Sequence, residues 1–202
     1  MSDHHHEERP AIDGGVLRAV MASYPTGVTV VTSQFEGAKV GMAANSFTSV
    51  SLDPPIVLVC CQRHARTAEA AKRSGRFAIH ILAHDQVDDA RAFVGRDAKR
   101  FEAVGHGADA NGVPILDDWL SLLVCETYSV MVAGDHEVLF GEVTHCERRE
   151  GAPLLFHESA LRMLPKLPPL PATGARSEPK PEDDDLYDSL VRVLAPPIRP
   201  RG

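Results

Sequence analysis

The sequence predicts a mainly β fold with peripheral helices, closed or nearly closed into an antiparallel barrel, and three observations predict it. Strand-like segments rich in Val, Ile and Thr outnumber helical ones. The helical segments are short insertions that do not alternate regularly with strands, which argues against a parallel doubly wound sheet. Near the end, WLSLLVCETYSVMVAGDHEVLFGEVTHCERR reads as two long strands joined at Gly134-Asp135-His136. Closing such a sheet removes its exposed edges.

The elements follow in order. Residues 13–24, DGGVLRAVMASY, place Val16, Leu17, Val20 and Met21 at helical spacing and stop before Pro25. GVTVVTSQ is a Val- and Thr-rich strand, and the Phe35–Lys39 region turns the chain at Gly37. A second strand is expected to run unbroken through AANSFTSVS to Asp53, where Pro54-Pro55 ends it. IVLVCC is a third strand, apolar on both faces. RTAEAAKRSG is a short helix with Thr67 as its expected cap and Gly75 as its stop. RFAIHILA is a fourth strand. DQVDDARAFVG forms a helix with Val87, Ala90, Phe93 and Val94 on one face. Gly95 to Asn111 reads as a polar loop, and APLLFHESALRML as a last short strand with a turn.

At 202 residues the chain is one domain with an appendage. Residues 1–12 are expected to be a flexible N-terminus and 13–164 the domain. The remainder, 165–202, is a Pro-rich tail unable to build its own core. Within it DDDLYDSLVRVL places Leu186, Leu190 and Val193 on one face of a possible short helix, 184–194. A formal charge of −7 speaks against nucleic acid as partner. No apolar run approaches the roughly 20 residues of a membrane helix. Cys60 and Cys61 point to opposite faces of a strand, and Cys125 and Cys146 make no CxxC motif, so thiols in a reducing cytoplasm are expected.

Several chemistries lose ground. There is no GxGxxG after a strand, no GxxxxGK and no GxSxG. His136-Glu137 starts like a zinc-protease signature, but Phe140 stands in place of the second histidine, and no metal site is expected. Three segments remain: YPTGVTVVT, AANSFTSVS and CCQRHARTAEA. In the last, the chain leaves a buried strand, passes Arg63 and Arg66 and enters a helix at Thr67. Guanidinium forks beside a helix N-terminus suit a phosphate. In the middle segment, Asn45, Ser46, Thr48, Ser49 and Ser51 lie close to the core, where small polar groups need partners.

AANSFTSVSLDPP, with PTGVTVVT before it and GDHEVLFGEV after it, resembles the short-chain NAD(P)H:flavin oxidoreductases, the reductase components of two-component flavin-dependent monooxygenases. The resemblance covers about residues 13–164 and implies an antiparallel Greek-key split β-barrel that binds FMN or FAD and forms a homodimer. It implies that Thr26 and the stretch Ala44, Asn45, Ser46, Phe47 and Thr48 face the isoalloxazine ring. Cys61, Gln62 and Arg63 are to line the ribityl phosphate, with Arg66 and Thr67 gripping it. Arg100 and Phe101, in the KRF stretch, match a basic-aromatic pair near the flavin. His64 and Ala65 depart from the family, where many relatives carry Ser. His136, in GDH, is implied at the open flavin face where the nicotinamide of NADH or NADPH stacks, for nucleotide binding and proton supply.

The implied activity is NAD(P)H-dependent flavin reduction, with reduced flavin passed to a partner monooxygenase. Two alternatives stay open. One is a tight flavoprotein that reduces a corrinoid, a metal complex or an organic substrate. The other is a flavin-binding interaction module without turnover.

Overall fold

The computed structural model describes residues 12–95 and 99–163, all within the compact unit Met1–Lys166. The proposed tail helix at 184–194 lies outside the described residues. In chain order the elements are α1 (Gly14–Ala22), β1 (Thr26–Gly27), β2 (Thr29–Phe35), β3 (Ala38–Ala44), β4 (Thr48–Leu52), β5 (Pro55–Gln62), α2 (Arg66–Ser74) and β6 (Arg76–Ile81). There follow α3 (Val87–Ala92), α4 (Arg100–Ala103), β7 (His106–Ala108), β8 (Pro114–Leu116), β9 (Ser121–Ala133), β10 (His136–Arg148), β11 (Leu154–His157) and β12 (Ala160–Met163). Among the described residues no helix is long and apolar enough to cross a membrane.

Seven strands form one antiparallel sheet in the order β3-β2-β6-β9-β10-β5-β4. The long β9–β10 hairpin turns at the expected place, with Ala133 paired to His136. The expected unbroken strand through AANSFTSVS is instead two strands, which lie at opposite edges of the sheet. Only residues 45–47 join them. Four Cα steps span at most about 14 Å, whereas seven flat strands would cover roughly 29 Å. The sheet therefore curls until its edges meet across this strap, although among the described residues no strand pairing closes it. Ser46 helps hold the seam: its Oγ accepts from Cys60 N and donates to Cys60 O, both at 3.0 Å.

Side-chain alternation sorts two apolar clusters. Val31, Val57, Val59, Cys61, Phe77, Ile79, Cys125 and Leu139 pack with Ala68 and Ala71 of α2. Neighbouring positions on the same strands turn the other way, so Val28 and Val30 join Leu82, Ala90, Phe93, Val104, Leu116 and Leu154. On this second side His80 is fully buried. Its Nδ1–H donates to Val30 O at 3.1 Å and its Nε2 accepts from Leu116 N at 3.1 Å, so the imidazole ties three elements together as a neutral group. Burial pushes its pKa down from 6.5 to about 4.

Four local expectations need correction. Thr67 does not cap α2: the cap position is Ala65, which offers no side chain, and Thr67 is buried inside the first turn. The stretch 95–111 contains α4 and β7, the latter paired to β8. The last segment is a full hairpin, β11 with β12, and β1 pairs onto β11. Val94 is 67% exposed and does not share the buried face of Ala90 and Phe93. Gly75 ends α2 as expected, at φ 71°, a left-handed conformation that glycine adopts without a Cβ penalty.

Candidate active site

The strap, the exit of β5 and the start of α2 border a cleft of about 920 Å3. Strand alternation decides what β5 presents to it. Cys60 and Gln62 line the cleft, while Cys61 between them faces the core, fully buried, its thiol pushed up to about 12 chiefly by that burial. Beyond Gln62 the chain turns sharply, with His64 at φ 62° and Ala65 N donating back to Gln62 O at 3.0 Å. α2 then begins. Its first backbone N–H groups lack intrahelical acceptors by geometry, and no side chain caps them.

Across the cleft runs β3 with Lys39, Gly41 and Ala43. Gly41 is required here by close approach: a Cβ would fall 2.6 Å from the Phe93 ring and 3.2 Å from Val31 O. Arg100, reaching from α4, donates to the carbonyls of Gly41 and Gly95 and lies 6.0 Å from the Phe93 ring centroid. His136 enters from the start of β10, opposite Gln62 in register. Its Nδ1–H donates to Asp135 Oδ1 at 2.8 Å, and this hydrogen bond holds the Asp135 carboxyl below its ordinary value.

Of the residues singled out from sequence, Ala44, Asn45, Ser46, Gln62, Arg63, Arg66, Thr67, Arg100 and His136 meet around this one cleft. Five others do not line it. Cys61 faces the core, and Phe47 packs against the same cluster. Thr48 pairs with Leu58 on the outer strand, and Phe101 stacks edge-on to Phe93 with centroids 5.2 Å apart. Thr26 pairs with Phe156, and its Oγ1 is buried without a hydrogen-bond partner. Sequence reasoning missed Lys39, Gly41, Cys60, His64 and Phe93 as lining residues. Alternation along β5 was the available signal for Cys60. The polar strap also divides: Ser46 is satisfied by the Cys60 backbone, whereas Asn45 makes no side-chain hydrogen bond among the described residues.

Electrostatics distinguish the cleft from the rest of the molecule. The chain carries −7 overall, yet the described lining residues include Lys39, Arg63, Arg66 and Arg100 and no Asp or Glu. A concave site lined by one sign of charge concentrates ligands of the other sign. A flavin fits this donor set: uncapped N–H groups with Arg63 and Arg66 suit its phosphate, and the small Ala44 and Ser46 leave room for a flat ring.

Comparison with known proteins places relatives of this chain among flavin reductases. The chain is 39% identical over 148 residues to the reductase subunit HsaB of a flavin-dependent monooxygenase from Rhodococcus jostii, covering 73% of this chain and 76% of the relative. It is 41% identical over 136 residues to a probable flavin reductase of Rhizobium meliloti; those residues are 67% of this chain but only 44% of that longer protein. Among solved structures, the NADH:FAD oxidoreductase of Streptomyces globisporus, in complex with NAD and FAD fragments, superposes with a TM-score of 0.72 at 32% identity, over 78% of this chain and 98% of the other. Residues 21–165 match the model of the flavin reductase like domain, and the chain belongs to that family.

Proposed function

We propose that this protein is an NAD(P)H-dependent flavin reductase that reduces FMN or FAD and passes the reduced flavin to a separate monooxygenase. The observation that carries the reading is a cationic cleft, with no carboxylate among its described lining residues, in a chain of this family. A bound flavin supplies a ring that accepts two electrons as hydride, and everything else falls to the chain's own residues. Arg63, Arg66 and the α2 N-terminus hold the phosphate. Asn45 supplies side-chain hydrogen bonds to the polar edge of the ring, and Ala44 and Ser46 keep the wall low enough for a planar ligand. His136 stands at the rim, where Asp135 fixes its ring through Nδ1 and leaves Nε2 to contact the nucleotide or to hold a proton. Hydride transfer needs no protein acid or base, only the donor carbon held within roughly 3–3.5 Å of its acceptor.

The same reading includes a cytoplasmic homodimer. Exposed Val16, Leu17, Val20 and Met21 on α1, with Tyr128, Met131 and Val132 on β9, are the apolar surface that a second copy would cover. The decisive assay is oxidation of NADH and NADPH by the purified protein with FMN, FAD or riboflavin. Acceleration well above buffer is expected with at least one nucleotide. No acceleration with either nucleotide and any flavin removes the enzyme reading.

A further inference from the structure

Lys39 lies on the outer half of β3, where its Nζ donates to His106 Nε2 at 2.8 Å. His106 Nδ1 is 3.0 Å from Val104 O, which can only accept, so Nδ1 carries the proton and Nε2 is the acceptor. The imidazole is therefore neutral and brings no counter-charge to the ammonium. Its position is set by a stack: His106 lies edge-on to Phe101 with centroids 4.9 Å apart, and Phe101 lies edge-on to the buried Phe93. Among the described residues no carboxylate is within ion-pair distance of Lys39. An aimed cation without a counter-ion, facing a cleft in an acidic protein, is a seat for an anion.

This seat is not the one at α2. The strap just beyond Ala44 is bonded through Ser46 to Cys60, near the end of β5 that leads into that helix. Lys39 lies five residues back along β3, about 17 Å of strand at roughly 3.4 Å per residue. The two groups of cations thus occupy separate stations along the cleft. A single FMN phosphate engages one of them, and a dinucleotide brings further phosphoryl groups. We propose that Lys39, positioned by His106, binds a phosphoryl group of the nicotinamide dinucleotide. The inference rests on the reductase reading and deepens it. Two sources share this chemistry: the pyrophosphate common to NADH and NADPH, and the 2′-phosphate of NADPH alone.

The test uses the full chain with FMN as the flavin throughout, so that the flavin carries one phosphate. KM and kcat for NADH and NADPH are compared in wild type, Lys39→Met, Lys39→Arg and His106→Phe, with melting temperatures alongside. Lys39→Met is expected to raise the nucleotide KM about tenfold. Lys39→Arg should recover most of that, His106→Phe should fall between, and the gap should narrow with added salt. A rise for both nucleotides assigns the pyrophosphate, and a rise for NADPH alone assigns the 2′-phosphate. Unchanged KM for both nucleotides overturns the proposal, as does a rise in the KM for FMN instead. A loss of melting temperature with KM untouched also overturns it, because the pair would then only brace the fold. Should the wild type oxidise neither nucleotide, the reductase reading fails by itself. Calorimetry with ADP and adenosine 2′,5′-bisphosphate then reads the subsite directly: weaker binding by Lys39→Met supports it, and equal binding overturns it.

Discussion

Acid should weaken this fold through one residue above all, His80. In the folded chain its imidazole is neutral, donating to Val30 O and accepting from Leu116 N, and burial lowers its pKa from 6.5 to about 4. The unfolded chain takes up this proton near pH 6.5, while the folded chain resists it until about pH 4. Between those values the unfolded state binds more protons, so stability falls as pH falls. The contribution is fully present above pH 6.5 and is lost progressively down to about pH 4. At about 1.4 kcal/mol per pH unit the loss totals about 3 kcal/mol, a large part of a typical domain's margin. Urea unfolding from pH 7.5 to 4 would be compared between wild type and His80→Gln, whose amide does not titrate. The gap between their stabilities should shift by about 3 kcal/mol over that range, and the His80 ring resonances of the folded protein should stay fixed from pH 7.5 to 5. Parallel stability curves, or a folded-state His80 midpoint near 6.5, would refute the reasoning.

Three further perturbations follow from the geometry. Arg66→Ala should weaken FMN binding about tenfold or more and leave riboflavin binding nearly unchanged, measured by flavin fluorescence quenching; equal losses would remove the phosphate assignment at α2. Gly41→Ala forces a Cβ against the Phe93 ring and Val31 O, and should cost about 1–3 kcal/mol in chemical denaturation, with little effect if Phe93 swings aside. Lys72 joins Glu137, a mostly buried carboxylate, at 3.0 Å and Glu69 at 2.5 Å, so Lys72→Met strands Glu137. A loss of about 2 kcal/mol is expected by thermal and chemical unfolding, and a neutral result would show that water reaches Glu137.

How much of this was legible in sequence depends on the distance over which each feature is decided. The Val- and Thr-rich GVTVVTSQ and the apolar run IVLVCC were each legible as strands from composition alone, and Val30 and Val31 of the first join different clusters. The Gly134-Asp135-His136 turn was equally local and is found in place. The break at residues 45–47 was not legible, because Ser and Thr suit a strand and nothing nearby marks a crossing between sheet edges. Only the strand order reveals it. α4, with four residues, and β7, with three, span little more than one period of their own pattern, too little for periodicity to register them. At the site, Arg63 and Arg66 were readable from their place before a helix start, and Gln62 and His136 only through the family resemblance. Lys39 and His106 meet across 67 positions of sequence, and no local signal joins them. The buried Cys61 shows the converse error: family position suggested a lining residue, yet strand parity turns its thiol inward.

The three-residue bridge between Ala44 and Thr48 limits how far the two rims of the sheet can part. It acts as a fixed gauge, since the chain there is too short to let the rims part without tearing neighbouring strand pairs. Ala44, Asn45 and Ser46 are therefore held in place along the wall of the cleft. Lengthening the bridge by a residue or two would let the rims separate and loosen that stretch of wall.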